Sequence, residues 1–199
     1  MNELKKKQIK TVLKYTWPFY IVSSLLVVFG LYFIFNVTHR LPNYKTLTLF
    51  VSGEMKDSKK LREDLIEKYQ DNELKSVSII SSEPNDLNYN SKLTIPGVNS
   101  ADILIIPVSH LRSIVVAAFA LELTDDLIAS YYPGFSFFQE DNVNYGIKLD
   151  KEKVTDYMTL PSEECYMVLN GKSENTGEYS SKGIKEHNNA LNVVKGWGM

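Results

Sequence analysis

The twelve residues from Ser100 to Leu111, SADILIIPVSHL, decide how this chain folds. Ile103 to Ile106 is a continuous apolar run of strand length. A strand covered on both faces reads this way, and that predicts the centre of a parallel sheet. Pro107 and the polar pair Ser109-His110 end the run. Ser109 is expected to cap a helix reaching about residue 120, with Leu111, Ile114, Val115 and Ala118 facing inward.

Upstream, TLTLFVS (Thr46 to Ser52) is rich in strand formers and stops at Gly53. The next segment, DSKKLREDLIEKYQ, places Leu61, Leu65, Ile66 and Tyr69 on one helical face, with Asp57 or Ser58 as the cap. KSVSIISSE is a second strand, and the Asn/Ser/Pro-rich stretch after it reads as a loop with a short helical turn. Downstream, LTDDLIASYY is a short helix capped near Thr124 or Asp125. NYGIKL and ECYMVLN are strands, and NNALNVVKGW closes the chain as a helix through Ala190, Leu191, Val194 and Trp197. Strands alternating with helices predict an α/β domain: one three-layer lobe with a mostly parallel sheet.

A different solvent is written into the N-terminus. Residues 17–35 carry no charge, and the uncharged run of about 21 residues from Thr16 to Asn36 is long enough to cross a bilayer as a helix. Trp17, Tyr20 and Tyr32 lie toward its ends, where aromatic rings favour the headgroup region. Pro18 is expected in the first helical turn, where a missing N–H costs little. The run exceeds a signal-peptide core, and no small-residue cleavage site follows, so an uncleaved anchor is expected. Five lysines and one acid give residues 1–14 a charge of +4, whereas residues 37–199 carry 17 basic and 23 acidic residues, −6. The positive-inside rule then places the N-terminus in the cytoplasm and the remainder outside the cell membrane. The expected organisation is a cytoplasmic basic segment (1–15), a bilayer-spanning helix (16–36), a tether (37–45) and an extracellular lobe (46–199). An acidic body also argues against nucleic acid as a partner.

The order of these pieces resembles an extracellular solute-binding protein of the ABC-transporter type. LTLFVSGEMKDSKKLREDLIEKYQ resembles the first strand and helix of that family, and SADILIIPVSHL its Ala-Asp-Ile/Val strand and turn. NVNYGIKL resembles the Tyr-Gly-Ile-Pro segment, with Lys148 in place of the usual proline. CYMVLNGKSENTG followed by NNALNVVKGW resembles the return strand, the Lys-Ser turn and the next helix. The resemblance covers about residues 46–197. It implies a periplasmic-binding-protein-like fold, a membrane-anchored component of an ABC uptake system, and a solute, with carbohydrate one class. One departure is large. Only about 15 residues separate YGIKL from CYMVLN, where a second lobe needs on the order of a hundred. A single lobe leaves an open face in place of an enclosed site.

Ligands of open α/β sheets sit beyond the carboxyl ends of the strands. That rule and the resemblance nominate Ser52, Gly53, Glu54, Ser109, His110 and Tyr145 as ligand-binding. A helix-capping role for Ser109 is the plainer alternative. Tyr131, Tyr132, Phe135, Phe137 and Phe138 in YYPGFSFF are core, a protein-partner surface or a sugar-stacking platform. Catalysis is not expected. His39, His110 and His187 are scattered, no hydrolase, phosphate-loop or zinc motif occurs, and Asp102 with His110 is a weak acid–base pair. An Asp at the start of a buried strand more often binds backbone. Asp125-Asp126 reads as a helix start rather than half a metal site. The single cysteine, Cys165, allows no internal disulfide and no cysteine-based zinc cluster, and reads as a buried apolar residue. No metal and no cofactor are expected. Two functions stay open: a solute-binding-like component working with an ABC permease, or a non-catalytic interaction subunit that binds another membrane protein.

Overall fold

The computed structural model describes residues 3–38, 41–183 and 185–199. It divides into two compact units, residues 1–41 and 42–199. The first is a single helix, α1 (Glu3–Thr38), of which Lys14–Phe35 is long and apolar enough to span a membrane. At 1.5 Å per residue that stretch covers about 33 Å. The basic segment belongs to the same helix, so Pro18 lies in the helix interior and not in its first turn. The carbonyl of Lys14, four residues earlier, therefore has no N–H to accept. In the tether, residues 39–40 lie outside the described residues. Asn43–Lys45 is a 3-10 turn that belongs to the second unit.

The second unit is α/β. Its strands are β1 (Thr46–Ser52), β2 (Glu54–Met55), β3 (Ser76–Ser82), β4 (Ile103–Pro107), β5 (Phe137–Glu140), β6 (Val143–Lys148), β7 (Met158–Thr159) and β8 (Cys165–Leu169). Six form one sheet in the order β3-β1-β4-β8-β6-β5, and β2 pairs with β7 apart from it. β1 runs parallel to both β3 and β4, and is aligned with β4 at Leu49–Ile103. The remaining pairings, β4 with β8, β8 with β6 and β6 with β5, are antiparallel. The sheet is thus mixed, with four of its six strands pointing one way. The SADILIIPVSHL strand is central as expected, with all five residues of β4 buried. Its neighbour on one side is antiparallel, because β8 returns from the far end and inserts between β4 and β6.

Alternation along the strands builds two cores. Leu47, Leu49, Val51, Ile103, Ile105, Met167 and Leu169 face α2 (Ser58–Lys68), α5 (Asp125–Tyr131) and α6 (Asn189–Trp197). Phe50, Leu104, Ile106, Tyr166 and Val168 face the other way, toward α3 (Tyr89–Lys92), the π-helical turn Leu93–Val98 and α4 (Val108–Leu111). Each such aliphatic side chain taken fully out of water contributes about 1.5–3 kcal/mol. Three layers result. Asp57 caps α2 by accepting the Lys60 N–H (2.8 Å), and Thr124 caps α5 by accepting that of Leu127 (3.4 Å).

Two elements differ from the sequence expectation. No helix runs from Ser109 to residue 120. α4 ends at Leu111, Val116–Ala118 is a separate 3-10 turn, and Val115 is 69% exposed. The Ser113 hydroxyl donates to the His110 carbonyl (2.8 Å), a local bond of the kind that competes with helix, and β-branched Ile114, Val115 and Val116 add no helical preference. Residues 137–140, read as the tail of an aromatic run, form an edge strand. Its hairpin to β6 turns on Asp141 and Asn142, both at positive φ (50° and 64°), as a two-residue type I′ turn needs.

Candidate functional site

The carboxyl ends of β1 and β4 meet at the point where the connections reverse direction: β1 leads to β3 on one side, then to β4 on the other. In open α/β sheets this is where a ligand crevice forms. Here the chain fills it. Ser52 is fully buried, and its hydroxyl bonds Tyr89 Oη at 2.6 Å. The Tyr89 ring lies edge-on to the His110 imidazole, 4.7 Å between centroids. Ser109 is no helix cap. It is the second residue of α4, and its N–H and hydroxyl both donate to the Glu163 carboxylate, at 3.0 and 2.7 Å. Lys151 holds the loop that carries Glu163 by donating to the carbonyls of Pro161, Ser162 and Glu163.

Gly53 closes the same end. Its N–H donates to the Ser82 carbonyl (3.0 Å), and any Cβ at this position would overlap the Thr159 carbonyl oxygen. Thr159 belongs to the short connection between β6 and β8, which crosses the strand ends and pairs as β7 with β2. Gly53→Ala should therefore push β7 away from β1 and cost about 1–3 kcal/mol, as overpacking does. Chemical denaturation measures it, and a loss below about 0.5 kcal/mol, ordinary for a surface change, would mean that β7 is not seated there.

Of the residues nominated from sequence, the structure brings together Ser52, Gly53, Ser109 and His110, through Tyr89 and Glu163. Glu54 is exposed beside them. Tyr145 is not part of the group. It is half-buried on β6 against the second core, near Glu122, Glu140 and Asp141, where burial first and these carboxylates second push its phenol pKa up.

The five aromatics do not converge on an exposed face. Tyr132 is fully buried and donates to the Leu191 carbonyl (3.1 Å). Tyr131 is half-buried, edge-on to Tyr179, and accepts a bond from the Asn188 amide (3.0 Å). Phe135 packs on Gly198. Phe137 and Phe138 line a cleft of about 390 Å³ with Arg112, Glu140, Glu164 and Tyr166. Phe138 and Tyr166 meet edge to face at 5.7 Å and are each 8% exposed, so neither offers an open ring to stack a sugar.

No family model matches this chain, and no curated protein matches it.

The most polar construction lies at the opposite end of the sheet. Asp102, just before β4, is 8% exposed. One carboxylate oxygen accepts the Thr48 N–H (2.7 Å) and the other the Ser173 hydroxyl (2.5 Å). Burial pushes its pKa up, against the pull of those two bonds. The expectation that Asp102 binds backbone at the strand entrance is met. His110 lies beyond the other end of β4, about 20 Å away at 3.3 Å per residue. Asn170 donates to the carbonyls of Val98 and Ala101 (2.8 and 2.9 Å), and Asn175 to that of Thr46 (3.0 Å). Asn189 donates to Asn175 Oδ1 (3.3 Å), and its own Oδ1 is buried without a partner among the described residues. Beside this network is a cleft of about 310 Å³, with Thr46, Thr48, Asp102 and Ser173 inside and exposed Lys172 and Lys182 at its mouth. Its size and hydrogen-bonding walls suit a small polar molecule. Sequence reasoning passed over this end. The signal available was NGKSENT (Asn170 to Thr176), seven mostly polar residues directly after an apolar strand.

Cys165 is 1% exposed, and burial pushes its thiol pKa up to about 11. It packs as an apolar residue in the first core.

Proposed function

We propose that the chain is a single-pass membrane protein whose α/β domain lies outside the cell and acts as a non-catalytic interaction subunit. It is a lobe of the solute-binding type that holds a protein partner in the membrane, of which an ABC permease is one class, rather than a solute. The observation that carries this reading is the filled strand-end crevice. Tyr89, Glu163 and the β6–β8 connection occupy the space a solute would take. The β3-β1-β4 order, with its reversal at β1, supports the lobe itself. The lysine-rich start of α1 supports the orientation.

A thermal-shift screen of the full chain in detergent, with sugars, amino acids and short peptides, tests it. Cross-linking in native membranes runs alongside. No ligand shift, together with a reproducible cross-link to one membrane protein, is expected. A solute at a hundred times its Kd would add about 2.7 kcal/mol, and such a shift would overturn the reading. The polar cleft by Asp102 favours a second one. If a ligand shift disappears in the Lys172→Ala/Lys182→Ala variant, the domain binds a small polar solute at the amino ends of β1 and β4.

A further inference from the structure

The two edges of the main sheet are built differently. β5 is four residues long, carries Glu140 and has a register shift at Phe138/Gln139. Short length, charge and irregularity are the devices that keep an edge from pairing with another chain. β3 has none of them. Its seven residues, SVSIISS, pair with β1 in unbroken register and contain no proline and no charge.

The direction of its backbone groups follows from one bond. The Ser82 carbonyl accepts the Gly53 N–H and so faces β1. Along a strand the groups alternate, so Val77, Ile79 and Ser81 turn their N–H and C=O outward. Among the described residues, none of these outward groups has a hydrogen-bond partner outside the sheet ladder.

We propose that β3 pairs antiparallel with β3 of a second copy of this chain, about a two-fold axis at Ile79. In that register each residue faces the one equally distant on the other side of Ile79. Ile79 meets Ile79, Val77 meets Ser81, and Ser76 meets Ser82. All three outward residues fall in hydrogen-bonded pairs, each exchanging two bonds. The flanking charges then match. Lys75 and Glu83 flank the strand at equal distances from Ile79, so Lys75 of each copy comes next to Glu83 of the other. Both are exposed, and neither is in an ion pair among the described residues. The occupant of the edge is therefore a second copy, because the strand is complementary to itself in shape, hydrogen bonding and charge. Ile79 and Ile80, each only partly buried against its core, gain cover on both faces. The dimer does not depend on the function proposed above.

The mass of the full chain in detergent, by sedimentation with the micelle subtracted, tests this over a concentration series. The wild type is expected to dimerise. Lys75→Glu sets two like-charge pairs across the axis, where opposite charges had paired, and should weaken the dimer about tenfold. Lys75→Glu with Glu83→Lys restores the match and should restore the dimer. Ser81→Pro removes an outward N–H that the monomer does not use and is tolerated on an edge, so it should give a folded monomer. A wild type that stays monomeric overturns the proposal. So does a Lys75→Glu variant as dimeric as wild type, which would place association elsewhere, for example along α1. Failure of the double swap to rescue overturns the antiparallel register.

Discussion

Tyr89→Ala is expected to destabilise the domain by about 3–5 kcal/mol, the range for truncating a buried aromatic. The ring is 2% exposed, tilts against Phe50 at 6.2 Å and meets His110 edge-on. Its removal leaves a hole at the junction of β1, α3 and α4, and leaves the fully buried Ser52 hydroxyl without its partner. Tyr89→Phe separates the two effects. It keeps the ring and loses only the 2.6 Å bond, which should cost about 1–2 kcal/mol for a buried hydroxyl left unsatisfied. Urea unfolding followed by near-ultraviolet circular dichroism reads both. If alanine costs no more than phenylalanine, the ring is not what closes the strand ends. The same variant bears on function: a solute shift seen in Tyr89→Ala and absent from wild type would mean that the crevice is competent and merely blocked.

Asp102→Ala should cost about 2–4 kcal/mol. It leaves the Thr48 N–H and the Ser173 hydroxyl without an acceptor; bonds to a charged group are worth about 1.5–3 kcal/mol each, and relief of the carboxylate's desolvation offsets part of that loss. Asp102→Asn keeps an acceptor for Thr48 and should cost less. The pH dependence has a definite sign. Burial raises the folded-state pKa above its ordinary 3.8, so the folded protein holds this proton more tightly than the unfolded chain. The resulting stability is complete below about 3.8 and is lost as pH rises through the raised folded pKa. Wild type should thus lose stability relative to Asp102→Asn as pH increases across that window. Glu73, Asp86 and Glu164 have depressed pKa values, through hydrogen bonds to Lys45, the Asn88 N–H and Lys148 in turn, and act in the opposite sense. The difference between the two proteins cancels their contribution. A difference that grows in wild type's favour on raising the pH would contradict a desolvated Asp102.

Much of the fold is legible because local pattern and final burial agree. The alternation in TLTLFVS and the helical spacing of Leu61 and Leu65 give β1 and α2, and Ile103 to Ile106 reads correctly as the central strand. NNALNVVKGW places Ala190, Leu191, Val194 and Trp197 in the core as its period demands. The direction of β8 is not legible, since nothing in CYMVLN says on which side of β4 it inserts. β5 was hidden by its own aromatics, although Asp141-Asn142 between β-forming residues carried a turn signal. The candidate site was half legible. Strand-end logic leads to Ser52, Gly53, Ser109 and His110, but the residues that occupy them, Tyr89 and Glu163, come from segments 37 and 54 residues away from Ser52 and Ser109. The charge pattern of the β3 edge is plain in the sequence, yet it acquires meaning only once β3 is known to be terminal in the sheet.

The insertion of β8 between β4 and β6 has a bearing on biogenesis. Until Cys165 to Leu169 has emerged from the ribosome, the three parallel strands and the β5–β6 hairpin have no strand-to-strand backbone bonds joining them. Both then expose raw strand flanks in the interval when a nascent chain is most prone to clump. A chain that stops short of this keystone carries two half-sheets that nothing in the ladder joins.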